Sequence, residues 1–133
     1  MKKHLASLLL SSVLLSFHHP TDLKINSIIE QQDEPIISAC NAYAHIGKHA
    51  IVQGKVVSTY RSAKGNIFLN FEQPYPNQCF TAVIFSNALQ NFGGHFNEKQ
   101  FAGKIVQVSG FIKQYKGKPE IIVNYPEQLS ILK

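Results

Sequence analysis

Pro74 and Pro76 cut a run of strand-forming residues between Asn66 and Phe85 in two, and this interruption constrains the chain more than any other feature. Proline has no amide proton to donate to a ladder, so residues 73–78 must be a loop between a strand at Ile67–Phe71 and another that opens at Phe80. The period of two along the first strand sets Ile67, Leu69 and Phe71 on one face and Phe68 with Asn70 on the other. The first face is apolar and belongs in a core. The second sets an aromatic beside an amide, which suits a small surface patch or a platform on which a nucleobase stacks.

The same period recurs on either side. From Ala50 to Tyr60, Val52, Gly54 and Val56 share a face, and Arg61–Gly65 is turn-prone. A third strand is expected over Phe80–Phe85. A fourth covers Lys104–Lys113, where Val106, Val108, Gly110 and Ile112 alternate with Ile105, Gln107, Ser109 and Phe111. Gln114–Pro119 reads as a hairpin loop before a fifth strand, Glu120–Tyr125, with a short apolar run at Leu129–Leu132. Gly54 and Gly110 inside strands suggest bulges or the tight bends of a small closed sheet. Helical spacing is found at Ile36–His45, which ends before Gly47, and at Ser86–Phe101, which Gly93 and Gly94 interrupt. The order predicts an all-β chain: a five-stranded OB-fold (oligonucleotide/oligosaccharide-binding) Greek-key barrel with a short N-terminal helix and a helix between strands three and four.

The chain divides into three parts. Lys2 and Lys3 precede an apolar run, Leu5–Phe17, which fits a signal-peptide core and is short for a membrane span, so residues 1–19 are expected to direct export to the periplasm or beyond the cell. No stable membrane span is expected after cleavage, although no clean small-x-small cleavage site follows the run. Residues 20–35 are polar and acidic and read as a linker or arm, leaving residues 36–133 as the OB-fold domain. Ile37-Ser-Ala-Cys40 matches a lipid-attachment box, but it stands far beyond the apolar run, behind Asp33 and Glu34, and reads as chance. The only two cysteines are Cys40 and Cys79, and an oxidising environment permits a bridge that ties the first helix to the third strand. That bridge is expected over two unpaired buried thiols. From Lys48 to Lys133 there are ten Lys or Arg against four Asp or Glu, so the folded part is basic and suits a polyanionic partner.

Several segments carry a resemblance. His45-Ile-Gly-Lys48, Val52-Gln-Gly-Lys-Val56, Phe68-Leu-Asn-Phe71, Tyr75-Pro-Asn-Gln78, Phe80-Thr-Ala-Val-Ile84, Val108-Ser-Gly-Phe-Ile112, Tyr115-Lys-Gly-Lys-Pro-Glu-Ile121 and Pro126-Glu-Gln-Leu129 look like those of small bacterial OB-fold proteins and modules. Those are described as nucleic-acid-binding or DNA-binding, and related modules occur in exported proteins, sometimes beside nuclease domains. The resemblance spans residues 36–133 and implies the fold. It brings no catalytic residue with it.

In such a barrel the ligand lies across strands two and three, between the loops that join strands one to two and four to five. Both loops are basic here. The first has Arg61 and Lys64 beside Tyr60; the second has Lys113, Lys116 and Lys118 beside Tyr115. Between them lie Phe68 and Asn70, with Tyr75 on the proline loop. Cations interleaved with aromatics are what a nucleic-acid strand requires, since ammonium and guanidinium groups offset phosphate and rings stack on bases. Single-stranded DNA is the favoured ligand. A periplasmic or secreted protein-binding module (an adaptor or an inhibitor) is the alternative, and a glycan-binding barrel is a third. No cofactor or metal is expected, and an enzyme is not. The six His are scattered, Gly47 separates His45 from His49, and no Asp follows Asp33.

Overall fold

Eight strands form one sheet in the computed structural model: β1 (Ile36–Ser38), β2 (His49–Arg61), β3 (Ile67–Phe71), β4 (Phe80–Ile84), β5 (Ile105–Phe111), β6 (Lys113–Tyr115), β7 (Lys118–Ile122) and β8 (Leu129–Ile131). The structure describes residues 33–133 and, apart from them, Ser16. The expected signal segment and most of the acidic arm lie outside the described residues. The architecture is all-β with a few short helices, consistent with an OB-like fold.

Strand β2 is long because it serves two neighbours. Its first half, His49–Lys55, pairs antiparallel with β5, and its second half pairs antiparallel with β3, with a register shift between Val56 and Ser58. Strand β3 pairs antiparallel with β4, and β4 lies parallel to β7. The full order is β6-β7-β4-β3-β2-β5-β8, with β1 parallel to β2. All five expected strands are present as β2, β3, β4, β5 and β7. Three short ones are added: β1 from a stretch read as helix, β6 from one read as loop, and β8 from the terminal run.

The expected five-stranded barrel is not what forms: eight strands make one sheet, which is open between β5 and β7. A side chain bridges that seam where a ladder would close a barrel. The Gln128 carboxamide donates to Ser109 O of β5 at 2.9 Å and to Ile122 O of β7 at 3.3 Å. Its oxygen accepts from the amides of Asn124 and Tyr125 at 2.8 and 3.1 Å. Gly110 marks how close the two strands come, with φ at +155° and a position where a Cβ would lie 2.8 Å from the Ile121 side chain. Gly54 answers a different crowding. A Cβ there would stand 2.6 Å from Glu72 Oε1 and 2.8 Å from the Ala39 Cβ, while the irregularity in β2 itself falls later, at Val56 and Ser58.

The helices are 3₁₀ rather than α. Ala39–His45 buries Ala39 and Ala42, three residues apart, as the tighter helix requires, and leaves Tyr43 exposed. Between β4 and β5 the expected helix is two pieces, Ser86–Phe92 and Glu98–Phe101, separated at Gly93 with φ +73°. Phe92, Phe96 and Phe101 form an aromatic chain at centroid spacings of 5.0 and 5.7 Å that carries this segment against the core. The core is the inward face foreseen for β3: Ile67, Leu69 and Phe71 are fully buried, with Val52, Val56, Phe80, Ile84, Val106 and Ile121. The Cys40–Cys79 disulfide ties the first 3₁₀ helix to the start of β4 across 39 residues.

Two stability changes are expected from these ties. Gln128→Ala leaves two strand carbonyls and two amides without partners and should cost about 2–3 kcal/mol in urea denaturation. A loss within about 0.5 kcal/mol, the scatter of ordinary surface changes, would show that the seam does not depend on it. Replacing both cysteines by alanine frees the denatured chain and should cost about 2–4 kcal/mol. Equal midpoints for the bridged protein and the double variant would rule that out.

Candidate nucleic-acid interface

The outward face of β2, β3, β4 and β7 holds a groove of about 730 Å³, a volume ordinary for ligand sites. Seven of the ten residues named from sequence line it: Tyr60, Phe68, Asn70, Tyr75, Tyr115, Lys116 and Lys118. The strand phase is the cause. With Leu69 in the core, Phe68 and Asn70 must face out. Tyr60 and Phe68 are register partners on β2 and β3, and their rings stack at 6.0 Å with planes 29° apart. Tyr75 reaches in from the β3–β4 loop, 74% exposed, and Tyr115 from the edge strand β6.

The other three expected residues are placed differently. The Arg61 guanidinium is held by Glu98 through two hydrogen bonds, at 3.1 and 2.6 Å, and by Phe96 O at 3.1 Å, so it faces the 3₁₀ segments. That bond holds the Glu98 carboxyl below its ordinary range and raises Arg61 further. Lys64 sits exposed in the β2–β3 turn and does not line the groove. Lys113 pairs with Glu120 across β6 and β7 at 3.6 Å. Of the cations that remain, Lys116 lies 5.4 Å over the Tyr115 ring and Lys118 donates to Gln78 O at 3.2 Å, which anchors the proline loop.

Of the floor, only Asn70 was foreseen. Ser58, Asn70, Thr81 and Glu120 are successive register partners on β2, β3, β4 and β7, so they form one polar row across the sheet. Asn70 Nδ2 donates to Ser58 Oγ at 3.2 Å, Thr81 Oγ1 to Asn70 Oδ1 at 3.4 Å, and Gln78 Nε2 to Thr81 Oγ1 at 3.3 Å. Burial pushes the Glu120 carboxyl above its ordinary value, and Lys113 offsets part of that. Besides Asn70, the one signal in the sequence was an acid at the head of an apolar run, Glu120-Ile-Ile-Val123, just after Lys118.

No protein-family model matches the chain. No curated protein matches it. Among solved structures it is similar to a provisionally assigned aspartyl-tRNA synthetase from Leishmania major Friedlin, with 12% identity, a TM-score of 0.49, and coverage of 75% of this chain and 21% of that one. It is also similar to asparaginyl-tRNA synthetase from Pyrococcus horikoshii, with 20% identity, a TM-score of 0.47, and coverage of 73% and 23%. The same synthetase complexed with asparaginyl-adenylate matches at 22% identity and a TM-score of 0.44, over 68% and 20%. The chain thus spans about a fifth of the length of these structures.

Glu120 gives a pH dependence of known sign. A carboxyl raised in the folded state contributes stability below its unfolded pKa and loses it as pH rises through the folded value. Glu120→Gln removes this loss. Urea midpoints should therefore show the variant gaining on the parent as pH rises from the unfolded carboxyl value, about 4. A variant that loses ground over that rise would mean that the Lys113 pair outweighs burial.

Proposed function

We propose that this chain is an exported OB-like protein that binds single-stranded nucleic acid, DNA foremost, across the outward groove, without catalysis. The observation that carries this reading is the stacked Tyr60–Phe68 pair on the open sheet face, with Tyr75 and Tyr115 lining the same groove as Lys116 and Lys118. Bases stack on such rings whatever their sequence, and the two ammonium groups stand where a backbone would pass. The Cys40–Cys79 bridge supports the exported reading, because disulfides persist in oxidising compartments. A glycan would also stack on aromatics, but the lysines at Lys116 and Lys118 favour an anion.

The placement of the cations sets the salt dependence. Glu98 holds Arg61 and Glu120 meets Lys113, so two or three lysines remain for phosphate. Single-strand affinity should then fall with a log–log salt slope of about −1.5 to −2, shallower than a strongly basic site would give. Lys116→Ala should reduce that slope by about 0.7. Phe68→Ala should weaken binding by about 1–3 kcal/mol. Leu69→Ala, a core deletion, should instead cost about 2–5 kcal/mol of stability. Fluorescence anisotropy with single-stranded and duplex DNA at two salt concentrations, with melting of each variant, measures all of these. Binding that Phe68→Ala and Lys116→Ala both leave unchanged would move the site elsewhere and favour a protein partner for this face.

A further inference from the structure

We propose that the polar row beneath the groove reads the Watson–Crick edge of one base and favours a base with an exocyclic amino group; this rests on the reading that the groove holds single-stranded nucleic acid. The row is built and sequestered. Asn70 is 4% exposed, Thr81 6%, Gln78 5% and Glu120 8%, and all four line the groove. Polar groups so placed normally satisfy one another, and most here do. Ser58, Asn70, Thr81 and the Gln78 amide nitrogen form a continuous chain of hydrogen bonds.

What the row leaves over is acceptor capacity. Gln78 Oε1 is shut off from water and has no partner among the described residues. Glu120 meets Lys113 through Oε1 alone, at 3.6 Å. The cross-strand lysine would explain a surface glutamate, but it does not explain the orphan oxygen of Gln78. The orphan oxygen of Gln78 calls for a donor from outside, and the second oxygen of Glu120, which Lys113 does not meet, is a further acceptor in the same groove. The amino groups at N4 of cytosine and N6 of adenine supply two donor protons each, and a carboxylate accepts from cytosine N4, whereas uracil or thymine offers only N3–H, flanked by carbonyls that would face the acceptors. Stacking on Tyr60 and Phe68 gives no such discrimination, because every base has a π-face. The row therefore supplies the preference and the rings supply the affinity.

The test compares homopolymeric dC and dU oligonucleotides of equal length, whose bases differ in the 4-amino or 4-oxo group and, with it, in the proton at N3, by anisotropy with the full chain at neutral pH. The dC strand should bind about tenfold tighter. Glu120→Gln offers a donor as well as an acceptor and should bring the ratio to within about twofold of one. Gln78→Met, which removes the orphan oxygen at similar volume, should narrow it too. Equal affinities in the parent, a preference for dU, or a ratio that neither variant changes would overturn the base preference and leave the binding reading standing. Absence of binding to either strand would overturn the nucleic-acid reading and the preference together. The parent ratio needs no variant, so a variant that does not fold cannot rescue the idea.

Discussion

Strand β2 has to serve two ladders at once, and the rest of the structure follows from how it does so. Its first half belongs to β5 and its second to β3, with the register shifting between Val56 and Ser58. A strand can change partners along its length only if it bends, and an irregularity that leaves one residue unpaired is the usual means. Gly54 stands just before the shift, where Ala39 and Glu72 crowd the backbone too closely for a Cβ. Beyond it, Ser58 and Tyr60 point away from the core toward the groove. The bend thus turns one continuous strand into core support on one side and groove wall on the other.

The bend also bears on how the sheet stays open between β5 and β7, while its ends in strand order, β6 and β8, are largely exposed. It brings β5 round toward β7, near enough for Gly110 to lie against Ile121 but without a shared ladder. Unpaired strand carbonyls in such a gap cost free energy unless something donates to them. Gln128 does so from the final 3₁₀ turn, and its oxygen caps the amides of Asn124 and Tyr125. A single carboxamide replaces the ladder that a closed barrel would have had.

Much of this was legible in the sequence where the pattern was local. Ile67–Phe71 has strict alternation and flanking breakers, so its limits and the inward direction of Leu69 could be read directly. The bridge was legible because the chain has only two cysteines. Elements too short to show an alternation were not: Ile36–Ser38 and Lys113–Tyr115 are three residues each, and their strand character comes from the neighbours they pair with. The polar row was illegible for a deeper reason. It exists only by register across four strands, and the position of Ser58 in it depends on the shift in β2 that alternation does not reveal. Arg61 shows the same limit for charge. Its partner, Glu98, is 37 residues away, so a loop that reads as basic carries a guanidinium already bound elsewhere.

The groove gains from the way its loop is held. Residues between β3 and β4 carry Tyr75 and Gln78, and a free loop of this kind would lose conformational entropy whenever a ligand ordered it. Here it is fixed before any ligand arrives. Cys79 is covalently tied to Cys40 and its amide donates to Phe71 O, Asn77 N donates to Pro74 O, and Lys118 donates to the carbonyl of Gln78. The prolines that break the strand therefore also stiffen the rim that holds Tyr75. Lys118 gives one of its ammonium protons to this anchoring and keeps its charge, and Gln78 Nε2 donates to Thr81 Oγ1. If the groove takes a single strand as proposed, an aromatic rim held in place above a sequestered polar floor, with Arg61 and Lys113 paired to acids, would direct its contacts mainly to bases and less to backbone charge.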